Sequence, residues 1–256
     1  MIANYHTHTW RCLHATGMEE EYVERAIQGG MKILGFSDHA PYPFPEGYFS
    51  GMRMRTDQLE GYVDKILSLK KKYQPDIEIH LGLEAEYYPE FWEPFLRLIE
   101  EYPIEYLLLG QHHLDSEVNG AFYSGTATDN PALLKKYVDQ CTEAMETGKY
   151  FYIAHPDLLN FHGDEEVFDR EYRRLCREAD RHSLPLEINF LGIGENRWYP
   201  CDKFWKIVGE EGNTVIFGCD AHGPEKAWNP AVEKRAMGLV EKYHLNLVET
   251  WPIAGK

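Results

Sequence analysis

The chain opens on His6-Thr7-His8, two imidazoles two residues apart, and on an extended segment such residues share one face. Two neutral imidazoles at that spacing can grip one cation. They have company. His14 follows shortly, and six further apolar, β-prone stretches run into a histidine or carry a carboxylate. Residues 33–39 end in Asp38-His39, and 77–84 end in Gly82-Leu83-Glu84. Residues 106–113 end in His112-His113, and 150–156 carry His155. Residues 186–190 contain Glu187, and 215–222 end in Asp220-Ala221-His222. A carboxylate closing so apolar a run, as Glu84 and Asp220 do, has to be paired or metal-bound, because burying it alone is costly. Mixed nitrogen and oxygen donors of this kind suit Zn²⁺, Fe²⁺ and Mn²⁺ alike. Asp38-His39 also has a plainer reading, a helix-capping aspartate beside a rim histidine.

Such residues need strand ends that point the same way, and the sequence between them supplies the spacing. Thr16 followed by Glu19 predicts a capping box for a helix that Gly29-Gly30 stops. Thr56 caps a second, with Leu59, Tyr62, Val63, Ile66 and Leu69 on one face. Asn130-Pro131 starts a third, which Gly148 ends. Further helices are predicted over 90–101, 165–182, 200–211 and 229–243. Strand and helix alternate seven times with no break in composition, which implies parallel strands with helices outside. The expectation is an α/β fold, a single TIM-like barrel domain over residues 1–256 with seven strands, its site at their C-terminal ends. A doubly wound open sheet competes, but it would gather its site at one switch point. Residues 41–55, PYPFPEGYFSGMRMR, are predicted as a long loop after the second strand, where substrate contacts sit.

Bulk composition removes several function classes. With 256 residues of which 43% are hydrophobic, the chain can bury a full core. A formal net charge of −16 argues against nucleic acid and anionic membrane as partners, since phosphate neutralisation needs clustered Lys and Arg. The 5 cysteines form no CxxC pair, which reads as a reduced, cytoplasmic setting with buried thiols. No signal peptide and no membrane-spanning run is expected.

The motifs YHTHT, SDH, GLE, GQHH, AHPD and GCDAH stand in that order across the whole chain. With them the chain resembles the PHP family, the polymerase and histidinol phosphatase domain. SDHAP, then MRM, then GLEAEYYPE look like its monofunctional histidinol-phosphate phosphatase branch. The resemblance implies a distorted (β/α)7 barrel holding three divalent ions, Zn, Fe or Mn. Carried over residue by residue, it places the first ion on His6, His8, Glu84 and Asp220. Glu84 would bridge to a second, completed by His113 and His155, and His14, His39 and His222 would hold the third. In the pair His112-His113 the Gly-x-x-His spacing, counted from Gly110, selects His113. Asp38 is expected to orient a ligand from behind. His80, His182 and His244 are expected to be structural.

The activity implied is hydrolysis of L-histidinol phosphate to L-histidinol and phosphate in histidine biosynthesis, with another small phosphomonoester or a nucleotide as the alternative substrate. Two cations sharing Glu84 would activate the attacking water. Arg197 is the best phosphate clamp, since a guanidinium matches phosphate bidentately, and Arg53 and Arg55 are further candidates. No Arg or Lys follows the AHPD segment, where members resembling this branch carry one, and His162 and Asn160 are the available substitutes. Asp115, Asp157, Glu86 and Tyr87 are candidate acceptors for the cationic groups of histidinol. The group that protonates the leaving alkoxide has no sequence signal. A metal-free structural module would show gaps in the ligand positions, and an amidohydrolase-like barrel commonly wants a strand-end lysine; neither pattern is present.

Overall fold

Alternating strands and helices have one compact solution here, and the computed structural model, which describes residues 1–118 and 120–253, adopts it. Eight parallel strands form one sheet in chain order: β1 (Ala3–Asn4), β2 (Ile33–His39), β3 (Glu78–Ala85), β4 (Tyr106–Leu109), β5 (Tyr152–Ile153), β6 (Leu186–Asn189), β7 (Thr214–Gly218) and β8 (Asn246–Leu247). The intervening helices are α1 (Glu19–Gln28), α2 (Leu59–Tyr73), α3 (Pro89–Ile99), α4 (Pro131–Glu146), α5 (Glu165–Arg181), α6 (Phe190–Glu195), α7 (Asp202–Glu211) and α8 (Pro230–Tyr243). The sheet curls until its edges meet. Thr7, just past β1, bridges Ala221, just past β7, and His8 N donates to Ala221 O at 3.0 Å. The seven expected strands therefore make the TIM-like barrel. The two-residue β8, not anticipated, pairs with the opposite end of β7 (Thr214↔Asn246).

Alternation along each strand decides what faces inward. On β3, Ile79, Leu81 and Leu83 pack outward with α2 residues such as Tyr62, Val63 and Ile66. Gly82 and Glu84 are left to point into the barrel, because successive side chains alternate. The lower interior is a separate apolar cluster of Tyr5, Tyr106, Leu108, Phe151, Tyr152 and Ile216 with two alanines. Tyr106 lies across it, its hydroxyl donating to Tyr5 O at 2.7 Å. A β-carbon at Gly35 or Gly82 would overlap that ring, so both strands need glycine where they pass it. The aromatic floor closes the barrel below the strand ends.

Two helix starts differ from expectation. Glu19 does not serve a Thr16 cap; it pairs with Arg11, and α1 begins beyond Met18, whose N–H donates to the Glu21 carboxylate at 2.6 Å. Thr56 lies within a short 3₁₀ turn leading into α2, and Gln58 caps the Arg55 N–H at 2.9 Å. Asn130 does cap α4, accepting from Ala132 N at 3.0 Å. Among the described residues no helix is long and apolar enough to cross a membrane.

Candidate metal centre

Register brings the donors level. β2 and β3 pair so that His39 stands directly beside Glu84, and β1 and β7 meet so that His6 and His8 face Asp220. The Glu84 carboxylate is the hub. His155 Nε2 lies 2.8 Å from its Oε1, His39 Nδ1 3.1 Å from Oε2, His6 Nε2 3.5 Å from Oε1 and His8 Nε2 3.6 Å from Oε2. Asp220 Oδ1 is 3.1 Å from His8 Nε2 and 3.2 Å from His222 Nδ1. The rings of His8 and His222 stack at 4.0 Å between centroids, and His14 stacks on His222 at 4.6 Å. Among the described residues, donor atoms within 4.8 Å of one another form the triplets His6–His8–Glu84, His6–His155–Asp220, His39–Glu84–His112, His14–His39–His222 and His8–Cys12–His222.

Behind the donors stand groups that fix their orientation. Glu187 is fully buried, and its carboxylate meets His6 Nδ1 at 2.8 Å, accepts from Tyr152 OH at 3.0 Å and from His155 N at 3.0 Å. A β-carbon at Gly218 would occupy that carboxylate's place. Asn189 donates to Glu187 at 2.9 Å and to Asp220 at 3.1 Å. Asp38 Oδ1 lies 3.4 Å from His8 Nδ1, while its other oxygen accepts from Thr9. Asn4 ties the seam, accepting from His6 N at 3.1 Å and Cys219 N at 2.9 Å. His155 and Asp220 take left-handed backbone angles, φ +29° and +48°, which side chains with a β-carbon adopt at a cost. Strain of this kind concentrates where a side chain must be aimed.

Six buried donor atoms here make no hydrogen bond: His6 Nε2, His8 Nε2, His39 Nδ1, Glu84 Oε2, His155 Nδ1 and His222 Nε2. Buried polar atoms are rarely left so. Burial opposes charge on Glu84 and Asp220, yet the surrounding imidazoles hold both carboxyls well below the usual range. Burial likewise opposes charge on His6, and Glu187, Asp220 and Glu84 carry its pKa up to about 10. A field that draws protons this strongly draws divalent cations too, and ion binding would displace those protons. The donor set fits divalent metal.

His113, expected to face this cluster, does not join it; His112 does. β4 ends at Leu109, and His112 N turns back to donate to Gly110 O at 3.0 Å, so counting by strand alternation from Gly110 no longer applies. Glu86 then meets His112 Nδ1 at 2.9 Å, and His112 Nε2 lies 3.6 Å from Glu84. His113 packs its ring against Tyr123 at 5.4 Å on the cavity wall. We expect His112→Ala to lower the content of bound divalent ions measured after metal loading by at least one equivalent. His113→Ala should leave it unchanged, and the reverse result would restore the Gly-x-x-His reading.

The arginines sort differently from expectation. Arg53 is 2% exposed and spent on structure: Nε donates to Glu117 at 2.8 Å, Nη2 to Glu86 at 2.8 Å and Nη1 to Ala40 O at 2.9 Å. It cannot reach a phosphate. Arg55 is exposed and paired with Asp57 at 2.9 Å, away from the centre. Arg197 does line the cavity above the donors, about 490 Å³ in volume, with its guanidinium on Glu195 at 2.7 Å and Tyr199 OH at 3.0 Å. Lys226, which sequence reasoning missed, joins it from across Glu195 at 2.6 Å. Its only signal was position, four residues after His222. Neither His162 nor Asn160 lines this cavity; both face a different cleft. The acceptors suggested for histidinol are engaged elsewhere: Glu86 with Arg53, Asp115 with Lys136, and Asp157 with Cys201 N. Tyr87 packs on Trp92.

Burial opposes ionisation of the Cys12 thiol, but hydrogen bonds from His14, His222 and His8 bring its pKa down to about 3.

Comparison with known proteins adds four findings. The PHP domain family matches residues 4–190. A protein of Deinococcus radiodurans named as a probable histidinol-phosphatase is 26% identical over 240 residues, covering 87% of each chain. The histidinol-phosphatase of Lactococcus lactis is 26% identical over 240 residues, 88% of this chain and 86% of its own. The crystal structure of histidinol phosphate phosphatase from Lactococcus lactis, complexed with Zn, L-histidinol and phosphate, has the same fold, with a TM-score of 0.74 at 19% identity over 98% of this chain and 96% of that one.

Proposed function

The chain belongs to the PHP domain family, and on that premise we propose that it is a cytoplasmic, metal-dependent phosphomonoesterase that converts L-histidinol phosphate to L-histidinol and inorganic phosphate. The observation that carries this reading is a floor of orphaned imidazole and carboxylate atoms beneath a cavity rimmed by Arg197 and Lys226. The relatives' names supply the substrate.

Three divalent ions fit the donors. His6, His8, Glu84 and Asp220 would hold one; Glu84, His112 and His155 a second; His14, His39 and His222 a third. Bound there, they would supply Lewis acidity and a water acidified towards neutrality. The chain's own residues do the rest. Arg197 and Lys226 neutralise each other's partner Glu195 until a phosphate dianion offers them a better one, and a guanidinium beside an ammonium suits its non-bridging oxygens. Glu187, Asp38 and Glu86 hold His6, His8 and His112 in one orientation, so no reorganisation is needed as charge develops. Leu158, Leu191 and Met52 line the same cavity and give an apolar wall for an imidazole ring. A volume of about 490 Å³ suits a small phosphomonoester.

The test is phosphate release from L-histidinol phosphate, p-nitrophenyl phosphate and a mononucleotide, using protein loaded in turn with Mn²⁺, Fe²⁺ and Zn²⁺. A kcat/KM for histidinol phosphate about 100-fold above the others is expected, the discrimination that a shaped apolar wall such as Leu158, Leu191 and Met52 can give. Chelation should remove it. Equal, weak rates on all three would sink the substrate and keep the metal chemistry. No turnover with any ion would sink the enzyme.

A further inference from the structure

We infer that Cys12 is an ion ligand, its thiolate joining His222, the imidazole that its own donor group shares with the His14–His39–His222 set. The inference rests on the cation-binding reading of the centre but not on any substrate.

Three observations converge. First, the thiol is placed among donors. Cys12 closes a 3₁₀ turn, Trp10–Cys12, and Leu13 follows at φ +72°, which folds His14 back so that its Nδ1 meets Cys12 O at 2.7 Å. Cys12 is fully buried, and its Sγ lies within 4.8 Å of donor atoms of both His8 and His222. Second, His222, which shares the donor group with Cys12, has a buried Nε2 that makes no hydrogen bond. His222 Nδ1 already meets Asp220 O at 3.1 Å, which leaves Nε2 for an ion. Third, charge is unevenly shared. The triplets built on Glu84 and Asp220 contain a carboxylate, whereas His14–His39–His222 contains none. Three neutral imidazoles bring no charge of their own, Glu84 and Asp220 are shared with the other donor groups, and a Cys12 thiolate beside His222 would add an anion not shared with them.

On binding, the proton held between the sulfur and its neighbouring imidazoles leaves to solvent and a sulfur–ion bond forms, with no change of oxidation state. Zn–S of about 2.3 Å and Zn–N of about 2.0–2.1 Å are short enough that the donors would close slightly around the ion. Thiolate is a soft ligand, so it biases this position towards Zn²⁺ over Mn²⁺, a preference that imidazole and carboxylate alone do not impose. A buried, ordinary cysteine would do none of this.

Cobalt reports the difference directly. Full-length protein loaded with Co²⁺ should show visible d–d bands together with a near-ultraviolet thiolate-to-cobalt charge-transfer band. Cys12→Ser should keep d–d bands and lose the charge-transfer band, while Cys201→Ser keeps both. In competition, Cys12→Ser should shift the Zn²⁺:Mn²⁺ occupancy about tenfold towards Mn²⁺, the scale by which ligand-shell changes alter affinity. Should the serine variant not fold, Cys12→Ala replaces it, and the wild-type spectrum already decides. Bound cobalt with d–d bands and no charge-transfer band overturns the assignment and leaves the metal centre standing. A charge-transfer band that survives in the Cys12 variants also overturns it. Failure to bind Co²⁺ at all overturns both readings.

Discussion

Glu84→Gln is expected to lower kcat by about 10³-fold or more, a loss of roughly 4 kcal/mol of transition-state stabilisation. The same variant should lose bound ions. Five imidazole nitrogens, from His155, His39, His6, His8 and His112, lie within 3.6 Å of this one carboxylate. The amide keeps the shape and removes the charge, so any position that shares Glu84 loses its anion. The space is also specific: a β-carbon at Gly110 would overlap the carboxylate, so nothing larger than glycine fits beneath it. Ion content by elemental analysis and thermal unfolding with and without added Zn²⁺ separate the causes. Wild-type protein should gain stability on loading, because a ligand that binds only the folded state stabilises it. The variant should gain little. A Glu84→Gln protein with full ion content and near-normal kcat would remove Glu84 from the centre altogether.

Arg53→Met carries the second large effect, on stability. Arg53 is enclosed by Glu86 and Glu117, with Nη2 2.5 Å from Glu117 and 2.8 Å from Glu86. Removing one partner of a buried ion pair leaves uncompensated charge and costs about 3–5 kcal/mol. For a chain of this size each kcal/mol moves Tm by roughly 2–4 °C, so the expected fall is on the order of 10 °C. Arg53→Lys should recover only part, because an ammonium cannot fork between two carboxylates and the Ala40 carbonyl. Glu86 also holds His112, so the methionine variant should bind divalent ions more weakly even where it is folded. A Tm within about 2 °C of wild type, the shift expected for under 1 kcal/mol, would show that the carboxylates find other partners.

Most of the fold was legible because its signals are local. Each strand is an apolar run, and Asn130-Pro131 or Gly148 punctuates a helix whatever surrounds it. The two-residue β8 has no such run and exists through its pairing with β7. Residues of the centre were legible where strand alternation reaches them, as at His6, His8 and Glu84. The alternation fails past β4, where a turn at Gly110 exchanges His113 for His112. Glu187 was visible as an acid inside an apolar stretch, but nothing local says that its partner is His6, 181 residues away. Arg53 shows the converse. Its place in the long loop suggested an exposed clamp, and only tertiary packing reveals the two carboxylates that consume it.

The meeting of the sheet's two edges has a mechanical consequence. Among the described residues, β1 and β7 pair through the Thr7–Ala221 bridge rather than a long ladder. His6 and His8 lie on one lip of that seam, Asp220 and His222 on the other. An ion gripped by His8 and Asp220 would therefore act as a rivet, joining the first residues of the chain to those more than two hundred positions later. Loading the centre would then tighten a barrel whose edges already meet, and the catalyst's reagent would double as its fastener.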